Sequence, residues 1–276
     1  MSGSIVRQST DGLLDDGDIR KEMWKSVVPI RFVLHSNDIS TLSVPDPLYL
    51  LIPRHTFLPL ISKTIHKHFS SFTALLKGTE SEMWFDHKGI PLKWNYPVGI
   101  LYDIMNRNSG AQPWEVGVHF QAYPSDVILH CNNENTVKNY FVNALKESIY
   151  IKNGDCSRLN NLSVVDSGDL WEGFRDNDYS RFWQCNQKLS PEPSEFKYIP
   201  VRIFRDKQSY VQEIVTPYDE QGNSRTIGDV LDELFGGKVS YDRVKVQGLR
   251  PSMDTPIVWL SGNVCHPDNF LYVHVV

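Results

Sequence analysis

Residues 28–33 read VPIRFV, and residues 199–204 read IPVRIF. Each is an alternating, β-branched run of the kind that forms a strand. The segments after the two copies also correspond. Downstream of the first, Tyr49 to Arg54 reads as a partner strand, and Leu58, Ile61, Ile65, His68 and Phe69 keep helical spacing. Met83–Asp86 is then a strand, His87-Lys88-Gly89 a turn, and Ile90–Trp94 a return strand. A short helix over Val98–Met105 and a strand over Trp114–Phe120 end the block. Downstream of the second copy come a strand over Tyr210–Thr216 and turn residues Asp219–Asn223. Thr226 then caps a helix whose Ile227, Val230, Leu231 and Leu234 share one face. Val244–Gly248 is a strand, Thr255–Trp259 echoes Ile90–Trp94, and Phe270–Val276 echoes Trp114–Phe120.

Three matched segments in one order mark a repeated unit. Strand, strand, helix, strand, strand is the β-grasp arrangement of ubiquitin. The first copy is longer, and its extra length is expected in the short helix and loop between Trp94 and Trp114. The fold class is therefore α+β, with two ubiquitin-like β-grasp domains flanking a helix-rich domain. Residues 1–20 read as a flexible N-terminal tail, and 21–124 as an N-terminal segment plus the first unit. Residues 125–195 form the helix-rich middle and 196–276 the second unit. Pro191-Glu-Pro-Ser194 reads as a stiff linker.

The middle is dominated by NTVKNYFVNALKESIYIKNG, residues 135–154. Asn135 is expected to cap the helix, and Asn153-Gly154 to end it. Val137, Tyr140, Phe141, Ala144, Leu145, Ser148 and Ile151 recur on one face, a stripe roughly 140° wide at about 100° per residue. Nucleation is costly, so such a helix depends on burying that stripe against neighbours on both sides. Lys146 lies about 170° from the stripe's centre and should face solvent, whereas Lys152 lies only about 50° from it. Further helices are expected around Asp166–Asn177 and Tyr179–Lys188.

With 276 residues, 41% hydrophobic and 12% aromatic, the chain can bury sizeable cores. A net charge of −5 argues against a nucleic-acid partner and against broad attachment to anionic lipid, while allowing a local peripheral membrane contact. No apolar run approaches 18 residues. Cys131, Cys156, Cys185 and Cys265 include no CxxC pair, which fits reduced thiols in the cytoplasm.

The search for chemistry is mostly empty. There is no glycine-rich phosphate loop and no GxSxG elbow, so no cofactor is expected. His66 and His68 sit two apart on a helix, face different directions, and give no metal site. Cys265-His266-Pro267-Asp268, and Cys131 beside His130, raise a thiol hydrolase as an alternative, but catalytic groups meet in space rather than in sequence. The seven tryptophans read as core or domain-contact anchors. Lys63, His66, Lys67 and His68 make a basic cluster that reads as a solvated helix face.

The runs MWFDHKGIPLKWNYPVGILYDIM (83–105), PWEVGVHFQAYP (113–124) and NALKESIYIKNG (143–154) resemble the autophagy protein 5 family. So do IPVRIF (199–204) and TPIVWLSGNVCHPDNFLYVHV (255–275). The resemblance implies two ubiquitin-like folds around a helix-rich domain, in agreement with the repeat. It further implies that the lysine matching Lys146 accepts the C-terminal glycine of the ubiquitin-like modifier autophagy protein 12 through an isopeptide bond. Implied partners are the N-terminal helix of the coiled-coil autophagy protein 16 and the conjugating enzymes of the system. The implied role is ligase-like: promoting lipidation of a ubiquitin-like protein at the phagophore (preautophagosomal) membrane, without a catalytic site of its own. An exposed amine with an ordinary pKa of about 10.4 is almost wholly protonated at neutral pH, so the conjugating enzyme must supply deprotonation or orientation. The competing reading is a purely non-covalent ubiquitin-like adaptor. The partner-helix groove is expected where the two β-grasp units meet the helices, since pockets favour domain junctions.

Overall fold

A computed structural model describes residues 16–73, 83–106, 112–189, 196–206, 208–237, 239 and 243–275. The Pro191–Ser194 linker lies outside these residues. The first β-grasp unit is built from β1 (Val27–Leu34), β2 (Leu48–Pro53), α2 (Ser62–Phe69), β3 (Trp84–His87), β4 (Ile90–Pro91), α3 (Val98–Met105) and β5 (Trp114–His119). Its five strands lie in the order β2-β1-β5-β3-β4. β1 is antiparallel to β2 and parallel to β5. Alternation decides which face is covered: Val28, Ile30, Phe32 and Leu34 are buried, while Val27 is exposed. At the β3–β4 hairpin, Lys88 and Gly89 both take positive φ, as a two-residue primed turn requires.

The second unit repeats the plan with β6 (Ile199–Asp206), β7 (Ser209–Val215), α8 (Ile227–Phe235), β8 (Val244–Val246), α9 (Ile257–Asn263) and β9 (Leu271–Val275). Its order is β7-β6-β9-β8, again with a parallel central pair. Thr226 caps α8 as expected, and Asp229 returns the bond to complete a capping box.

The structure corrects the alignment of the two copies. Thr255–Trp259 does not match the strand at Ile90, because Pro256 opens helix α9 just as Pro97 opens α3. A proline at a helix entrance sacrifices no bond, since the first amides have no partner there. Ile30 pairs with Trp114 and Val201 with Leu271, so Leu271 and not Phe270 corresponds to Trp114, and His274 corresponds to Gly117. Both units own a short helix before their last strand, so α3 is not the extra length. Most of the difference lies between the first two strands: 13 residues separate Leu34 from Leu48, whereas two separate Asp206 from Ser209.

Between the units stand α4 (Glu134–Asn153), α5 (Ser157–Asn160), α6 (Val164–Arg175) and α7 (Tyr179–Asn186). The α4 cap is Asn133, not Asn135; its side chain accepts from the Thr136 amide, and the helix starts earlier than the apolar pattern indicates. Gly154 ends it at φ 84°. The separate turn α5 is not signalled by the apolar spacing, and α6 starts at Val164 under a Ser163 cap. Phe141 of α4 stacks on Phe174 of α6 at 4.3 Å, with Leu145, Leu170 and Phe182 buried in the same core. Residues 17–20, read from sequence as tail, belong to helix α1 (Gly17–Lys25) under an Asp16 cap. One side of α1 places Trp24 in the helical core, and the other packs Ile19 and Met23 against the second unit's core.

Candidate functional site

Lys146 is exposed on the outer face of α4. The next two residues dock on the second β-grasp unit. The Glu147 carboxylate accepts from Gln212 Nε2 at 2.6 Å and from Arg202 Nη2 at 3.4 Å. The Ser148 hydroxyl lies 2.6 Å from the Asp268 carbonyl oxygen. Beneath them Val137, Phe141, Ala144, Leu145 and Ile151 are buried. Ile149, about 110° from the stripe's centre, is buried too, because cores press on the helix from more than one side. The amine of Lys146 thus rides on a rigid segment fixed on its opposite faces.

Lys152 has the contrary environment. It is 2% exposed, and its ammonium faces the Phe196 ring at 4.9 Å. Burial pushes its pKa down, with Cys265 and Asp268 opposing. Its carbonyl accepts the Lys197 amide at 3.0 Å, tying the end of α4 to the second unit. Of the two lysines, only Lys146 presents its amine to an incoming protein.

The sequence-derived thiol sites are not assembled as catalytic groups. His266 is fully buried, with Nδ1 2.9 Å from Asp268 Oδ1 and Nε2 2.8 Å from the His55 carbonyl oxygen. A carbonyl only accepts, so Nε2 carries a proton and offers no base to Cys265. Burial raises the Cys265 thiol, partly countered by Lys152, and raises Cys131 to about 11. His130 stacks on Tyr123 at 4.6 Å. His66 meets the edge of Phe120, while His68 reaches the Asp46 carbonyl oxygen at 2.9 Å. These two histidines are not brought together.

A crevice opens where α1, α7 and the two β-grasp units meet. It is lined by Trp24, Arg54, His55, Trp183, Gln247 and His266, among others. The Arg20 guanidinium lies 4.6 Å over the Trp183 ring, and Trp24 lies against His55 at 4.2 Å. Burial, with His266 adding to it, pushes the His55 imidazole down to about 3. From the sequence, a partner-helix groove is expected where the β-grasp units meet the helices, but the residues that would line it are not marked. Their only signal there is aromatic character, which the cores share.

Three family models match the chain in order: "Autophagy protein ATG5, UblA domain" over residues 23–120, "Autophagy protein ATG5, alpha-helical bundle region" over 134–192, and "Autophagy protein ATG5, UblB domain" over 198–275. Autophagy protein 5 of Dictyostelium discoideum is 27% identical, over 95% of this chain and 95% of that protein. Autophagy protein 5 of Drosophila melanogaster is 28% identical, over 94% and 97% respectively. The crystal structure of Kluyveromyces marxianus Atg5 shares the fold, with a TM-score of 0.83 at 20% identity, covering 94% of this chain and 99% of that one.

Proposed function

The chain belongs to the autophagy protein 5 family, and from that premise we propose that it is a non-catalytic scaffold conjugated through Lys146 to autophagy protein 12. The observation that carries this reading is the exposure of Lys146 on a helix held by Glu147 and Ser148, next to a Lys152 that is buried. In the reaction, the modifier's C-terminal glycine arrives as a thioester on its conjugating enzyme. The Lys146 nitrogen attacks the carbonyl, the carbon–sulfur bond breaks, the thiolate leaves, and the amine loses its proton. This chain contributes a positioned amine, and a fixed helix lowers the orientational part of the barrier.

The conjugate binds the N-terminal helix of autophagy protein 16 and promotes transfer of a ubiquitin-like protein onto phosphatidylethanolamine at the phagophore membrane. The crevice between α1, α7 and the β-grasp units is the seat we assign to that amphipathic helix, since apolar rings and Arg20 line one cleft at the domain junction. In this reading the chain works in the cytoplasm and reaches the membrane through its partners. Among the described residues no helix is long and apolar enough to cross a membrane. The test is reconstituted conjugation with Lys146→Arg. The adduct band disappears while helix-peptide binding is retained. A single adduct at wild-type yield would overturn the assignment of Lys146.

A further inference from the structure

The long β1–β2 connection of the first unit, cut to two residues in the second, brings His35 and Asp38 beside His119 at the end of β5. The ligand atoms of the three side chains all lie within 4.8 Å of one another. We propose that His35, Asp38 and His119 bind one divalent zinc-type cation that pins this connection to β5.

The geometry around His119 is that of a prepared ligand. Its Nε2 lies 2.8 Å from Asp86 Oδ1, and its ring is stacked on Trp84 at 3.8 Å, with 8° between the planes. A carboxylate on the far nitrogen fixes the tautomer and turns the near nitrogen toward the metal, as in carboxylate–histidine–zinc triads. That near nitrogen, Nδ1, stands 3.6 Å from Asp38 Oδ2. This is long for a hydrogen bond. It is close to the edge of a tetrahedron with metal bonds of 2.0–2.2 Å, about 3.3–3.6 Å.

Asp38 is also oriented. Its Oδ1 accepts the Phe120 amide at 3.1 Å, leaving Oδ2 toward His119. His35 lies beside His119, with ring centroids 4.4 Å apart and planes tilted by 31°, and its Nδ1 takes a 3.3 Å contact from the Asn37 amide. A small movement of this partly exposed ring closes the set. Asp38 and Asp86 are 6% and 7% exposed, so two carboxylates share the cluster with the imidazoles of His119 and the partly exposed His35, and a divalent cation balances them. Two imidazoles and one carboxylate suit zinc, with a fourth position left for water.

The test uses the purified full chain stripped with EDTA and titrated with Co²⁺, then Zn²⁺. One Co²⁺ per chain gives the intense visible bands of tetrahedral coordination, Zn²⁺ displaces them, and Zn²⁺ raises Tm by several degrees. His35→Phe keeps the ring contact and Asp38→Asn keeps an oxygen for the Phe120 amide. Each variant weakens Co²⁺ binding at least tenfold while its Tm in EDTA stays near wild type. Absence of stoichiometric binding by the wild-type chain overturns the proposal. So does binding that is undiminished in both variants, which would place the ion elsewhere.

Discussion

Lys146 and Lys152 stand six residues apart on α4, and their amines face different media: the first is exposed, while the second lies 4.9 Å from the Phe196 ring and is 2% exposed. The contrast follows from helical geometry, since six residues rotate a side chain by about 120° from its predecessor. One lysine clears the two β-grasp units, and the other is closed over by residues at the entrance to the second. In the proposed conjugation, exposure alone separates these two amines.

Lys152→Met should leave conjugation yield unchanged, because the buried amine takes no part. Methionine approximates the lysine stem, and removing a charge held in a poor dielectric should alter stability at pH 7 by no more than about 1–2 kcal/mol. The Lys152 pKa is lowered in the fold by burial, so the unfolded chain binds this proton more tightly. Wild type therefore gains on the variant as pH rises toward the ordinary lysine range. Urea melts at pH 7 and pH 9.5 check the sign, and a loss of adduct in Lys152→Met would contradict the division of roles.

His55 makes the junction sensitive to acid. Its imidazole sits at about 3 in the fold against 6.5 when free, chiefly through burial, and among the described residues its Nε2 has no hydrogen-bond partner. Between these values the unfolded chain binds the proton and the folded chain does not. Stability attributable to this residue therefore falls as pH drops below 6.5, by up to about 1.4 kcal/mol per pH unit. His55→Phe preserves the ring beside Trp24 and should lose less stability than wild type between about pH 6.5 and 4.5 in parallel denaturant titrations. Identical slopes would show that His55 is not the titrating group.

Much of this architecture is legible in the residues themselves. VPIRFV and IPVRIF announce two equivalent central strands, and the stripe on α4 points Lys146 outward and Lys152 inward. The features that cannot be read arise at longer range. Asn133 caps α4 because the chain arriving there is extended, at φ −168° and ψ 177°, which an apolar pattern beginning at Val137 does not encode. Pro256 and Pro91 look alike in a string, yet one opens a helix and the other sits in a strand. Only pairing with their neighbours separates them. The crevice residues are gathered from distant segments, and His119 reaches His35 and Asp38 only through the β1–β5 pairing, so no local spacing announces either set.

Gly173 is a close-packing position. A Cβ placed there would stand 2.5 Å from the Phe182 backbone nitrogen, where α6 crosses the start of α7. Backbone cannot yield as a flexible side chain does, so Gly173→Ala should force the helices apart and destabilise the chain by about 1–3 kcal/mol. Gly168 on the same helix has nothing within 4 Å of the equivalent atom among the described residues. Gly168→Ala should be neutral or slightly stabilising by helix propensity. Comparing the two Tm values separates crowding from propensity.

The trapped charge of the second unit offers the sharpest stability test. Asp268 is fully buried, and Arg202, 4% exposed on its side chain, places Nη1 4.0 Å from Asp268 Oδ2. Tyr272 links the two: its hydroxyl donates to Asp268 at 2.8 Å and accepts from Arg202 Nη1 at 3.0 Å. The guanidinium also lies 3.6 Å over Phe270. Arg202→Met retains much of the packing but leaves Asp268 to His266, the remaining partner that lowers its pKa by charge. Breaking one side of such a buried pair should lower stability by about 3–5 kcal/mol. Asp268→Asn in the same background removes the carboxylate that has lost Arg202, so the double variant should recover part of the loss. Denaturant melts of the two single variants and the double variant complete the cycle, and strictly additive losses would mean that Arg202 and Asp268 do not interact across their 4.0 Å gap.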